Sequence, residues 1–146
     1  MLNPWFITGF CDGVASFTYS KTGGTFVLYF SIRQQESNQQ IIEEIQRYFN
    51  GIGRIYTSKE TASGKNGYFA KPTTYYRVTK IDELKIILDH FERYPLQSKK
   101  KLETYNLWRQ MVLHKLDNYR SADHNKLQGL ADKLSHLSSQ HIEVKI

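Results

Sequence analysis

The stretch TFVLYFSIRQQ, residues 25–35, constrains the chain more than any other. Phe26, Leu28, Phe30 and Ile32 point one way, and Val27, Tyr29, Ser31, Arg33 and Gln35 point the other. Such period-two alternation marks a strand in an antiparallel sheet, with one face on the core and the other wet. A sheet of this kind needs helices on its apolar side and leaves a largely polar side open.

The flanking sequence supplies the partners. ASFTYSK (15–21) alternates small polar with aromatic residues, and TGG (22–24) turns it into the first strand. RIYTSKE and YFAKPTTYYRVTK predict a second strand pair joined by the polar loop TASGKNG. Between the pairs, SNQQIIEEIQRYF predicts a helix opened by Ser37, with Ile41, Ile42, Ile45, Tyr48 and Phe49 as its apolar stripe and NGIG as its stop. Ahead of the first hairpin, NPWFITGFCDG predicts a helix with Asn3 as N-cap and Pro4 at its first position, ending at Asp12 or Gly13. IDELKIILDHFERY turns Leu84, Ile87, Leu88 and Phe91 inward. Ser98 opens another helix, SKKKLETYNLWRQMVLHKL, and Leu127, Leu130, Leu134 and Leu137 form the core stripe of a last one. The order is helix, hairpin, helix, hairpin, helix and C-terminal helices: a single α+β domain over 1–146 without an internal repeat.

Gly9 and Gly13 lie four residues apart, on one face of the first helix. Two glycines in so short a helix cost about 1 kcal/mol each against alanine. A close helix–helix contact would offset that cost.

Twenty Lys and Arg against fourteen Asp and Glu leave a charge of +6, which suits a polyanionic partner. The chain has ten tyrosines, and those scattered along polar strands suit base contacts as well as sheets. The single cysteine, Cys11, lies in an apolar run and reads as a buried small hydrophobe, which excludes an internal disulfide and a cysteine metal site. No apolar run approaches the ~20 residues of a membrane span, and the opening residues lack the pattern of a secretory signal. A soluble intracellular protein is expected. His90, His114, His124, His136 and His141 all fall on helical segments and read as surface residues. No HxH, HExxH or CxxC spacing and no phosphate-cradling glycine loop is present.

WFITGFCDG, the αββαββα order, GIGRIY, YPLQSKKKL and the closing LQGLADKLSHL together resemble a single-motif LAGLIDADG homing endonuclease, over essentially the whole chain. The resemblance implies a homodimer with the motif helices packed at a two-fold axis, through Phe6, Gly9, Phe10 and Gly13. It implies that the open sheet faces form a basic saddle on a nucleic-acid groove. By alternation, the residues presented there are Ser16, Thr18, Ser20, Tyr29, Ser31, Arg33, Gln35, Arg54, Tyr56, Ser58, Tyr75 and Arg77, and Lys21, Lys99, Lys100 and Lys101 are expected to bind nucleic acid with them. Arg and Gln suit base edges, whereas Ser, Thr and Lys mainly hold phosphates.

The same resemblance puts cleavage in question. The family carries a metal-binding acid two positions after the Asp of CDG, and here that position is Val14, followed by Ala15 where glycine is usual. An isopropyl group cannot ligate Mg²⁺, which takes hard oxygen donors. Asp12 matches the structural carboxylate at the helix end. Gln34 and Lys99 match the supporting polar and basic positions, and would bind phosphate without cutting it. The expectation is a dimeric nucleic-acid binder of organellar origin (mitochondrion or chloroplast) that has lost cleavage and needs no cofactor, with intron or ribosomal RNA preferred over DNA as partner. The alternative is an active Mg²⁺-dependent endonuclease making double-strand cuts in DNA.

Overall fold

The structure, a computed structural model, describes residues 2–58, 61–62, 69–70, 72–118 and 120–143, without side chains at 61–62, 69–70 and 138–143. The loop predicted over 61–67 lies mostly outside the described residues, as does the side chain of His141.

Helix α1 (Pro4–Val14) starts as its sequence predicts: Asn3 accepts the Trp5 amide on its side chain and Pro4 occupies the first turn. It buries Ile7, Thr8 and Cys11, then runs directly into β1 (Ala15–Thr22). The hairpin to β2 (Thr25–Gln35) pairs Phe17 with Phe30 and Thr18 with Tyr29. Helix α2 (Gln39–Tyr48) begins later than Ser37 implies, because residues Glu36–Asn38 form a 3-10 turn. β3 (Arg54–Thr57), the short pair β4 (Thr61–Ala62) and β5 (Phe69–Ala70), and β6 (Thr73–Val78) follow. The run 68–80 is thus two strands rather than one. Pro72 divides it, since it has no N–H for a ladder bond, and its carbonyl accepts the Glu36 amide at 3.1 Å.

The main sheet has the order β1-β2-β6-β3, all antiparallel, so the two hairpins join through β2 and β6. Gly53, at φ +77°, lets the chain enter β3: a Cβ there would lie 2.7 Å from the Arg77 carbonyl oxygen. Helices α3 (Ile81–Arg93), α4 (Lys99–Asp117) and α5 (His124–Glu143) complete the cover on the apolar side. The core gathers Phe17, Phe30, Phe91, Tyr105 and Trp108, with Phe17 at 5.2–5.5 Å from the other four ring centroids. Leu127, Leu130 and Leu134 of α5 are buried as the stripe predicts, and Leu137 is half-buried. No helix among the described residues is long and apolar enough to cross a membrane.

His90 departs from the surface reading, being only 6 % exposed. The Thr8 hydroxyl donates to the Tyr94 carbonyl at 2.7 Å, so its oxygen accepts the His90 Nε2–H at 2.9 Å. Nδ1 then accepts the Tyr48 hydroxyl at 2.8 Å. This chain ties α1 to α2 and α3 through a neutral imidazole whose pKa burial lowers to about 4.

Candidate nucleic-acid interface

Burial alternates along the sheet strands. On β2 the inward set Phe26, Leu28, Phe30 and Ile32 is buried under the helices, and Tyr29, Ser31, Arg33 and Gln35 occupy the opposite face. Cross-strand register places Ser16 beside Ser31 and Thr18 beside Tyr29, Arg33 beside Tyr75 and Ser31 beside Arg77, and Arg54 and Tyr56 beside Arg77 and Tyr75. With Ser20, these residues form one continuous face. Ser58 continues it just beyond β3, its hydroxyl accepting the Thr73 amide at 3.2 Å.

The composition of this face is unusual for a solvated sheet. It holds Arg33, Arg54 and Arg77, and none of the four strands contains Asp or Glu. Arg54 and Arg77 are direct cross-strand partners, an arrangement of like charges that disfavours the free sheet. Rings fill the spaces between the guanidinium groups. Tyr56 and Tyr75 stack at 4.9 Å and 11°, Arg33 lies 5.9 Å from the Tyr75 ring, and Arg77 lies 4.5 Å from Tyr29 and 5.7 Å from Tyr56. The Arg77 Nε is buried without a hydrogen-bond partner.

Lys21 and Gln34 fall outside this face. Lys21 has the parity of Phe17 and Tyr19, so it turns to the helix side, bonding Gln128 at 2.8 Å and lying 5.0 Å from the Phe26 ring. Gln34 pairs with buried Thr74, is half-buried, and accepts the Asn38 side-chain amide at 3.0 Å.

At the junction of α1 and β1, Asp12 is fully engaged. Its Oδ2 accepts the amides of Gln97 and Ser98 at 2.8 and 2.9 Å, and Oδ1 accepts the Ser98 hydroxyl at 2.6 Å. Burial alone would raise its pKa, but these bonds and the nearby Lys101 charge outweigh that and hold it below the usual carboxylate value. Ser98 therefore opens α4 by binding α1 rather than by capping its own helix. Val14 is half-buried against the core. Lys101 donates to the Ala15 carbonyl, and burial lowers its pKa while Asp12 opposes the shift. Lys99 and Lys100 stand exposed in the first turn of α4, where cations oppose the helix dipole unless an anion lies nearby. A cleft of about 630 Å³ opens between this junction, the start of α4 and Leu134 and Leu137 of α5.

The family fold implies divalent metal at this junction, and the donor set of this chain does not fit it. The Val14 side chain offers no oxygen, both carboxylate oxygens of Asp12 already accept hydrogen bonds, and the Ala15 carbonyl faces an ammonium. Among the described residues no group of three or more His, Cys, Asp or Glu could hold a metal ion.

A second surface lies on α1. Gly9 and Gly13 are exposed, and among the described residues nothing lies within 4 Å of a Cβ built on either. Phe6 and Phe10 stack at 5.9 Å beside them. The large hydrophobic side chains exposed among the described residues are Trp5 (52 %), Phe6 (44 %) and Tyr56 (42 %), two on α1 and one on the open sheet. Sequence alone misses the Arg–Tyr interleaving, which depends on β2 pairing with β6, and the Asp12 clamp, which joins residues more than eighty positions apart.

The chain is thus an α+β fold with one bare, arginine-bearing sheet face, whose four strands hold no acid, and a bare glycine-marked helix. The family model for the LAGLIDADG endonuclease matches residues 7–112, and the chain belongs to that family. It is 34 % identical to probable intron-encoded endonuclease 2 of Neurospora crassa, over 94 % of this chain and 29 % of the relative. The LAGLIDADG meganuclease I-AabMI, solved bound to uncleaved DNA, superposes with TM-score 0.73 at 33 % identity over 89 % of this chain and 44 % of its own. The homing endonuclease I-TnaI superposes with TM-score 0.73 over 98 % of each chain, and at 19 % identity it shows the fold alone. The chain thus spans less than a third of the curated relative and under half of I-AabMI.

Proposed function

We propose that this chain is a LAGLIDADG unit that binds DNA on its open sheet face and does not itself supply a metal carboxylate for cleavage. One observation carries the reading: three arginines share a face whose four strands carry no carboxylate, two of them directly opposed. Such a face is stabilised by an anion laid across it, and strands fit a major groove. Lys99 and Lys100 extend the positive surface toward the backbone phosphates. The relative I-AabMI is solved bound to uncleaved DNA, which favours DNA over the RNA preference expected from sequence.

The bare face of α1 pairs with a second LAGLIDADG unit, either a second copy or another domain. The length of I-AabMI relative to this chain supports a two-unit assembly without fixing its connectivity. Origin in an organellar intron is supported by the intron-encoded relative, whose fungal source speaks for a mitochondrion and not for a chloroplast. The test is binding of the chain to mixed-sequence DNA duplex and to RNA of equal length across a salt series. Phosphate contacts predict that log affinity falls linearly with log salt, with tighter binding to the duplex. Affinity that ignores salt would overturn the interface, and a clear preference for RNA would overturn the choice of DNA.

A further inference from the structure

The centre of the open face holds an incomplete arrangement. Arg77 sits on β6 with Ser31 beside it on β2 and Arg54 beside it on β3. Tyr29 and Tyr56, from the strands on either side, lie 4.5 and 5.7 Å from its Cζ. Its Nε is buried with no acceptor, which costs free energy and is rare in native proteins. Among the described residues no hydrogen bond or ion pair joins the Arg77 guanidinium to another group, and its terminal amino groups are not buried. The side chain is therefore held by ring contacts rather than by carboxylates. Ring contacts fix the plane of the guanidinium and leave the outer fork unspent.

We propose that Arg77 reads a guanine: its two terminal amino groups donate end-on to O6 and N7 in the major groove, with Tyr29 and Tyr56 as positioning residues. This rests on the reading that the open face lies on DNA. A planar fork at fixed orientation matches guanine, whose O6 and N7 are paired acceptors, and mismatches adenine, which presents an amino donor beside its N7. A phosphate would satisfy the charge equally well from Lys, but a residue aimed only at phosphate has no need of two rings to orient it. Ser31, small and directly opposite, leaves room for a base edge to approach.

The experiment is selection from a randomised DNA duplex library by the intact chain and by Arg77→Lys, Tyr29→Phe and Tyr29→Leu, each first shown to keep the parent far-UV spectrum and melting temperature. The parent is expected to enrich a site with one guanine preferred about 5- to 150-fold over other bases. Arg77→Lys keeps the charge but replaces the flat two-donor fork with a single ammonium, so that preference weakens while the other positions of the site stay unchanged. Tyr29→Phe keeps the ring and retains the guanine, whereas Tyr29→Leu relaxes it. If parent and Arg77→Lys prefer the same guanine to the same degree, Arg77 does not read it, while the DNA-binding reading stands. Loss of affinity for all sequences alike in Arg77→Lys also overturns the proposal and assigns the residue to phosphate. If the parent enriches no duplex at all, both this inference and the DNA-binding reading fall.

Discussion

Lowering the pH below neutral should weaken the fold through His90. The imidazole is neutral in the fold, with Nδ1 accepting from Tyr48 and Nε2–H donating to Thr8, and its rim is aromatic: Phe91 at 4.7 Å, Tyr94 at 5.3 Å and Phe49 at 5.5 Å. Its pKa is about 4 in the fold against an ordinary 6.5. The folded value is depressed, so the unfolded chain binds the extra proton first, and stability falls as pH drops through 6.5 toward 4. Linkage over that window gives a loss of about 2 kcal/mol between neutral pH and roughly pH 5, approaching about 3 kcal/mol at the acid limit. Urea unfolding at a series of pH values measures it directly. His90→Gln keeps one donor and one acceptor and cannot titrate, so its stability should be nearly flat over the same interval, though lower at neutral pH. A Gln variant with the same acid-side slope as the parent would refute the assignment, as would an NMR titration of His90 with an ordinary midpoint.

Asp12→Asn retains the size of the clamp but loses its charge, and should cost about 1–3 kcal/mol in chemical denaturation, since two amides and a hydroxyl lose a carboxylate acceptor. Because Asp12 is held below the usual carboxylate pKa, the parent should lose this contribution only as pH falls below about 4, whereas the Asn variant lacks it throughout. Gly9→Leu adds a side chain where no described residue stands within 4 Å, so the isolated fold should gain up to about 1 kcal/mol, while sedimentation shows loss of pairing through α1. Arg54→Ala should lower the slope of log affinity against log salt by about 1 and raise the melting temperature of the free chain, because it relieves the opposition to Arg77.

Much of this architecture is legible in the sequence because it is local. The strand alternation in 25–35, the helix stripes and the Asn3–Pro4 start depend on near neighbours, and the structure repeats them. Parity also shows that Lys21 sides with Phe17 and Tyr19, although its charge suggests the open face. Pro72 announces the break in the 68–80 run. His90 stands three residues after Ile87 and next to Phe91, on the margin of the buried stripe, but its partners Thr8 and Tyr48 come from other helices and no local signal names them. The open-face residues follow from alternation, whereas the Arg77–Tyr29–Tyr56 grouping requires β6 to lie between β2 and β3, a long-range choice that no single segment encodes. Val14 is conspicuous in the motif itself. That Asp12 cannot replace the missing acid is visible only once α4 is seen resting on its carboxylate.

The central claim joins an intact binding face to a junction that holds no metal carboxylate. Duplex selected by the chain, incubated with saturating chain and millimolar Mg²⁺, tests it most directly when both strands are resolved on a denaturing gel. The account predicts a bound duplex with both strands whole. Cleavage of both strands by the chain alone would contradict it, and would mean that a donor at the α1–β1 junction is released from the contacts described here.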